Sequence, residues 1–164
     1  MFGPVGEKFA SGRPPLSIRG AVLAPAGRDG AGGGAGGRPV LRVLVAEDEA
    51  ITAMHIEDIL LELGHEVVGT VDNGPDAVAA AGRLRPDLML MDIRLARDSD
   101  GIAAATEVYR ALGIRSVFLS AHSDTLTRER AAAALPLGFA VKPFSTSQLA
   151  VLLDGVCEAL GRKG

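Results

Sequence analysis

The sequence has no tryptophan, one cysteine and only three lysines among its 17 basic residues, and each shortage narrows what the chain can be. A lone Cys157 excludes an intrachain disulfide framework and a cysteine-built zinc cluster; its place in a helix-like apolar stripe reads as core. No apolar run approaches the roughly 20 residues of a membrane span. The start lacks a secretory core, because "AVLAPA" is short and lies behind several charges. A cytoplasmic location is expected. Excess positive charge is missing from the body of the chain as well. Residues 1–38 carry five basic and two acidic side chains, a net +3, whereas the whole chain is −3, which leaves −6 for the remainder. An acidic domain is a poor partner for a phosphate backbone, so no direct nucleic-acid binding is expected.

What is present divides at about residue 38. Residues 1–38 end in "GRDGAGGGAGGR" and hold eleven of the 21 glycines. Such a segment buries too little surface to offset its ordering entropy and reads as a disordered extension. The 39–164 remainder suits a single domain of ordinary size. "VLRVLVAED" is a short β-rich run. Ile51, Met54, Ile59 and Leu63 then recur at helical spacing, and Gly64 stops the helix. "EVVGTV" is a second strand, and "NGP" opens a helix with proline in its first turn, running to about Leu84. "DLMLMD" is a third strand, followed by a loop through Gly101 and a helix ending near Leu112. "SVFLS" is a fourth, with a helix within 124–134, where the "AAAA" run is a helix signal. "GFAVK" is the fifth. Ser145 and Gln148 make a capping box for a last helix with Leu149, Leu152, Leu153, Val156 and Leu160 on one side. Five strands alternating with five helices imply a doubly wound parallel sheet covered on both faces.

The polar residues fall at the strand ends. The first strand ends in Glu47 and Asp48, the third in Asp92, the fourth in Ser120 and the fifth in Lys142. In open parallel sheets, ligands bind beyond the carboxyl ends of the strands, where strand order reverses. With order 2-1-3-4-5, these ends converge on one cleft. Three carboxylates repel one another unless a cation joins them, and hard oxygen ligands without histidine or cysteine favour Mg²⁺. A carboxylate also serves as a nucleophile that forms an aspartyl phosphate. Phosphoryl transfer then asks mainly for alignment and charge neutralisation. The scarcity of lysine gains meaning here: Lys8 and Lys163 lie near the chain ends, and Lys142 is a slim point charge where a guanidinium fork is not needed.

With these motifs in place, the stretch from about Leu41 to Leu160 resembles the receiver domain of two-component response regulators. The resemblance rests on "LVAEDE", "LMLMDIRL", "VFLSAH" and "FAVKPF", with Asp48 lying 44 positions before Asp92 and Lys142 lying 22 after Ser120. It implies a flavodoxin-like sheet of order 2-1-3-4-5, Asp92 as phosphoacceptor and Asp48 as a direct magnesium ligand. It also implies that Glu47 acts through water, that the Arg94 carbonyl completes the protein ligands, and that Ser120 and Lys142 hold the phosphoryl group. Phe139 matches the aromatic that changes rotamer on activation. The implied cofactor is Mg²⁺. The implied partners are a histidine kinase or histidine phosphotransfer protein and a downstream protein target, for a monomer or a phosphorylation-dependent dimer. The chain ends soon after the fifth helix, so a stand-alone receiver is expected, a phosphoacceptor that assists its own phosphorylation and dephosphorylation rather than an enzyme.

Several residues depart from the resembled pattern. Glu47 replaces the commoner aspartate, Ser120 a frequent threonine, and Phe139 lacks a tyrosine hydroxyl. "IRLARDSDG" is one residue longer than usual and lacks a Met-Pro pair, so its conformation does not carry over. Arg94 and His122, each two positions past a site residue, are candidates for tuning dephosphorylation, against the alternative of plain surface loops. His55 and Asp58 share a helix face without a third ligand. His65 reads as a turn residue, and Arg128 and Arg130 as solvated. Three rivals stand beside the receiver. An adaptor that is never phosphorylated is one. A phosphatase of the aspartate-nucleophile type is another, although Arg94 occupies the place of its general acid. A nucleotide binder is the third, although no glycine-rich phosphate loop follows the first strand.

Overall fold

The computed structural model describes residue 37 and residues 39–122 and 124–161. The disorder expected of residues 1–38 therefore lies, Gly37 aside, outside the described residues. Among the described residues seven strands occur in chain order: β1 (Arg42–Ala46), β2 (Glu66–Val71), β3 (Leu88–Asp92), β4 (Arg94–Leu95), β5 (Ser99–Asp100), β6 (Arg115–Ser120) and β7 (Gly138–Val141). Five of them form a parallel sheet in the order β2-β1-β3-β6-β7, which is the expected 2-1-3-4-5 once the short β4 and β5 are set aside. The helices are α1 (Ala50–Glu62), α2 (Gly74–Leu84), α3 (Gly101–Leu112), α4 (Thr125–Ala131) and α5 (Thr146–Ala159), with a 3-10 turn at Ala132–Ala134.

Alternation along the strands gives the sheet two buried faces. Val43, Val45, Leu88, Leu90, Val117 and Leu119 pack with Ile56, Ile59 and Leu60 of α1 and Leu149, Leu153 and Val156 of α5. The intervening residues Leu44, Ala46, Met89, Met91 and Phe118 face α2 and α3 on the other side. Each large side chain removed from water contributes about 1.5–3 kcal/mol, so the central strands β1 and β3, buried from both faces, are the rigid base of whatever stands at their ends. Local signals set the helix starts. Asn73 accepts from the Asp76 amide at 3.0 Å, Asp100 from the Ile102 amide at 2.9 Å, and Ser145 and Gln148 form the expected reciprocal box.

Two readings are corrected. The apolar spacing identified α1 but mixed its sides: of the named residues Ile51 is 84% and Met54 62% exposed, while Ile59 faces the core together with Ala53, Ile56 and Leu60. The helix carries apolar residues all round, so periodicity alone does not choose a face. His65 is not a simple turn residue. It is buried, and its Nδ1 accepts the Leu41 amide at 3.3 Å.

Candidate functional site

Backbone pairing carries past the strand ends and fixes the polar residues there. The Glu47 amide donates to the Val71 carbonyl at 2.9 Å, the Ile93 amide to Leu119 at 3.2 Å, and the Lys142 amide to Ser120 at 2.8 Å. Glu47, Asp92, Ser120 and Lys142 are thus held by ladder geometry rather than by loop flexibility. Glu47 and Asp92 are 2% and 6% exposed, whereas Asp48 stands exposed at the rim. One carboxylate oxygen each from Glu47, Asp48 and Asp92 lies within 4.8 Å of the others. These are hard oxygen donors without nitrogen or sulfur, which suits Mg²⁺.

Lys142 bridges the two buried acids. Its Nζ donates to Asp92 Oδ2 at 2.6 Å and to Glu47 Oε2 at 2.9 Å. The remaining oxygens are served by backbone: Asp92 Oδ1 accepts the Arg94 amide at 3.0 Å and Glu47 Oε1 the Glu49 amide at 3.1 Å. Burial pushes the Glu47 carboxyl above its ordinary range, and the bonds from Lys142 and the Glu49 amide counter this only in part. Burial presses the Lys142 ammonium the other way, but its hydrogen bonds to Asp92 and then Glu47 outweigh it and hold the group above its usual value. A charged lysine between carboxylates is the stable arrangement.

The other expected residues sit around this core with different engagements. The Ser120 hydroxyl donates to the His122 carbonyl and accepts the His122 amide at 3.1 Å, so it is turned into its own loop. His122 and Arg94 have exposed side chains. Phe139 is half-buried against Phe118, ring centroids 5.7 Å apart and tilted by 30°. Pro143 follows Lys142 through a cis peptide bond.

The segment read as a loop after Asp92 is instead a small antiparallel hairpin of β4 and β5. Its turn places Arg97 and Asp98 at φ 59° and 51°, a left-handed conformation usually given to glycine, which is why the sequence did not signal it. Ser99 ties the hairpin to α2: its Oγ donates to the Ala96 carbonyl at 2.6 Å and accepts the Gly74 amide at 2.9 Å. The chain then returns onto Asp92. The Gly101 amide donates to the Ile93 carbonyl at 2.9 Å, and a Cβ at Gly101 would lie 1.8 Å from the Asp92 carbonyl oxygen. The arginines read as solvated are engaged as well, Arg128 over the Phe139 ring at 5.2 Å from its centroid and Arg130 in an ion pair with Asp100. The only sequence signal for this supporting set was the Asp100–Gly101 dipeptide, a capping residue followed by the residue of least bulk.

Residues 43–154 match the family described as "Response regulator receiver domain". The chain is 43% identical over 108 residues to transcriptional regulatory protein PdtaR of Mycobacterium tuberculosis, a match that covers 66% of this chain and 52% of PdtaR. It is 33% identical over 116 residues to chemotaxis protein CheY of Thermotoga maritima, covering 70% of this chain and 96% of CheY. Among solved structures, the signal receiver domain of a modulated diguanylate cyclase from Desulfovibrio desulfuricans G20 superposes with a TM-score of 0.69 at 30% identity, over 75% of this chain and 98% of the other. The chain spans about half the length of PdtaR. Among the described residues, no helix is long and apolar enough to cross a membrane.

Proposed function

As the chain belongs to the response regulator receiver family, we propose that it accepts a phosphoryl group on Asp92 from a phosphohistidine of a histidine kinase or phosphotransfer protein. The observation that carries this reading is the Lys142 ammonium 2.6 Å from Asp92 Oδ2 beside two further carboxylates. A carboxylate oxygen of Asp92 attacks phosphorus. One P–O bond forms, the P–N bond of the donor breaks, and the histidine nitrogen keeps the electron pair. Asp48, Asp92 and the Arg94 carbonyl would hold Mg²⁺, with Glu47 acting through water, and the ion would neutralise charge on the phosphoryl oxygens. Lys142 holds one phosphoryl oxygen. The Ser120 hydroxyl leaves the His122 carbonyl to bond another, and Phe139 turns as the switch. Arg94 and His122 border the path of attacking water and tune dephosphorylation, so the protein assists both gain and loss of the group.

The signal leaves by docking to a downstream protein or by passing the phosphoryl group onward, from a cytoplasmic receiver domain at 39–164. The receiver is a monomer or dimerises on phosphorylation, and it does not bind nucleic acid directly. Incubation with acetyl phosphate and Mg²⁺ tests the reading. One labile phosphoryl group is expected by intact mass, absent in Asp92→Asn. A parent protein that gains none is the unphosphorylated adaptor instead, and continuous turnover of the donor marks a phosphatase.

A further inference from the structure

Helix α4 is held to the domain differently from its neighbours. It buries only Ala131, its last residue, and Leu126 is 72% exposed, whereas α1, α2, α3 and α5 each bury at least four residues. Arginines replace the missing apolar stripe. Arg128 lies over the face of Phe139, which in turn rests on Phe118. Arg130 pairs with Asp100 Oδ2 while Asp100 Oδ1 caps α3. Ahead of α4, the Ser120 hydroxyl bonds the carbonyl and amide of His122. α4 is therefore joined to Phe139 by the Arg128 stack and to the cap of α3 by the Arg130–Asp100 pair, while the Ser120 hydroxyl holds the backbone just ahead of the helix.

From this connection we infer that Arg128 is a positioning residue for the switch: its stack on Phe139 holds ring and helix in one arrangement, so that turning the ring and moving α4 are a single event. The inference rests on the receiver reading and names how that site reaches the surface. The magnitude suits the task. A partly exposed cation–π contact shifts an equilibrium about 2–5-fold, and an exposed ion pair such as Arg130–Asp100 adds little more. A helix fastened this lightly moves when a ligand prefers the other arrangement by a modest factor. An apolar stripe of the kind the other helices bury would hold it far more firmly. Arginine is suited to the place because its flat guanidinium stacks on an aromatic face, whereas lysine offers only a point charge.

Two measurements on the full chain test this. Amide hydrogen exchange across residues 125–131 reports the hold on α4, and a beryllofluoride titration in Mg²⁺ reports the switch. Arg128→Ala is expected to speed exchange in α4 about 2–5-fold, leave the central strands unchanged, and lower the beryllofluoride midpoint by a similar factor. Arg128→Lys should fall between Arg128→Ala and the parent. Exchange and midpoint equal to the parent in Arg128→Ala overturn the inference while leaving the receiver reading intact. Acceleration spread evenly over the domain also overturns it, since Arg128 is then merely structural. A parent protein that does not bind beryllofluoride removes both the receiver reading and the coupling built on it.

Discussion

Gly101→Ala is the substitution for which the geometry is least forgiving. The added methyl would sit 1.8 Å from the Asp92 carbonyl oxygen and 2.9 Å from its carbonyl carbon, with Met91 Cγ at 3.1 Å. The first two neighbours are backbone of a central strand, so no rotamer change relieves them; either α3 retreats or the end of β3 shifts. Overpacking a core costs about 1–3 kcal/mol when side chains can adjust, and a backbone obstacle puts this case at or above the upper end, about 3 kcal/mol. For a domain of this size that corresponds to a fall of roughly 12 °C in Tm. Urea denaturation should show the midpoint falling with the m-value retained, and labelling of Asp92 by acetyl phosphate should fall further than stability alone explains, because the displaced backbone carries the proposed nucleophile. Gly82→Ala is the matched comparison. Gly82 is helical and exposed, and nothing lies within 4 Å of its Cβ position, so alanine there should stabilise by about 0.5–1 kcal/mol. A Gly101→Ala protein within 0.5 kcal/mol of the parent, on the order of an ordinary surface change, would refute the reasoning.

Other expectations follow from single contacts. Ser116 is buried, and its Oγ is the one buried side-chain polar atom without a hydrogen-bond partner among the described residues; Ser116→Ala should stabilise by about 1 kcal/mol, seen as a higher urea midpoint. Ser145→Ala removes one half of the α5 capping box and should cost about 1 kcal/mol by the same assay. Glu47 is held above its ordinary 4.5 mainly by burial, so the folded state binds its proton more tightly than the unfolded state. Its contribution to stability therefore falls as pH rises from 4.5 through the folded value. Without added divalent ion, Glu47→Gln should gain on the parent between pH 4 and pH 7, and a constant difference across that range would contradict the assigned cause.

Much of this arrangement was legible because strands announce themselves by composition and end abruptly. "EVVGTV" coincides with β2, and the acids and the lysine follow the last apolar residue of their strands, so sheet order alone brings them together. What escaped the sequence depended on three-dimensional choices with no local signature. Helix α1 is apolar on more than one side, and only the packed fold shows that Ile56 rather than Met54 faces the sheet. The hairpin after Asp92 has strands of two residues and turns through Arg97 and Asp98 without glycine. The direction of the Ser120 hydroxyl and the stacking of Arg128 on Phe139 are matters of rotamer and of a neighbouring helix, which spacing does not encode.

The outer position of β7 has a consequence for the company the molecule keeps. A foreign strand laid along that side would meet only four residues, and two steps beyond them Pro143, which has no N–H to offer. Lys142, between the two, spends its own amide on Ser120. Edge-to-edge growth is blunted at the border nearest the chemistry, so neighbours gathering at that end of the domain meet it through side chains rather than by prolonging its sheet.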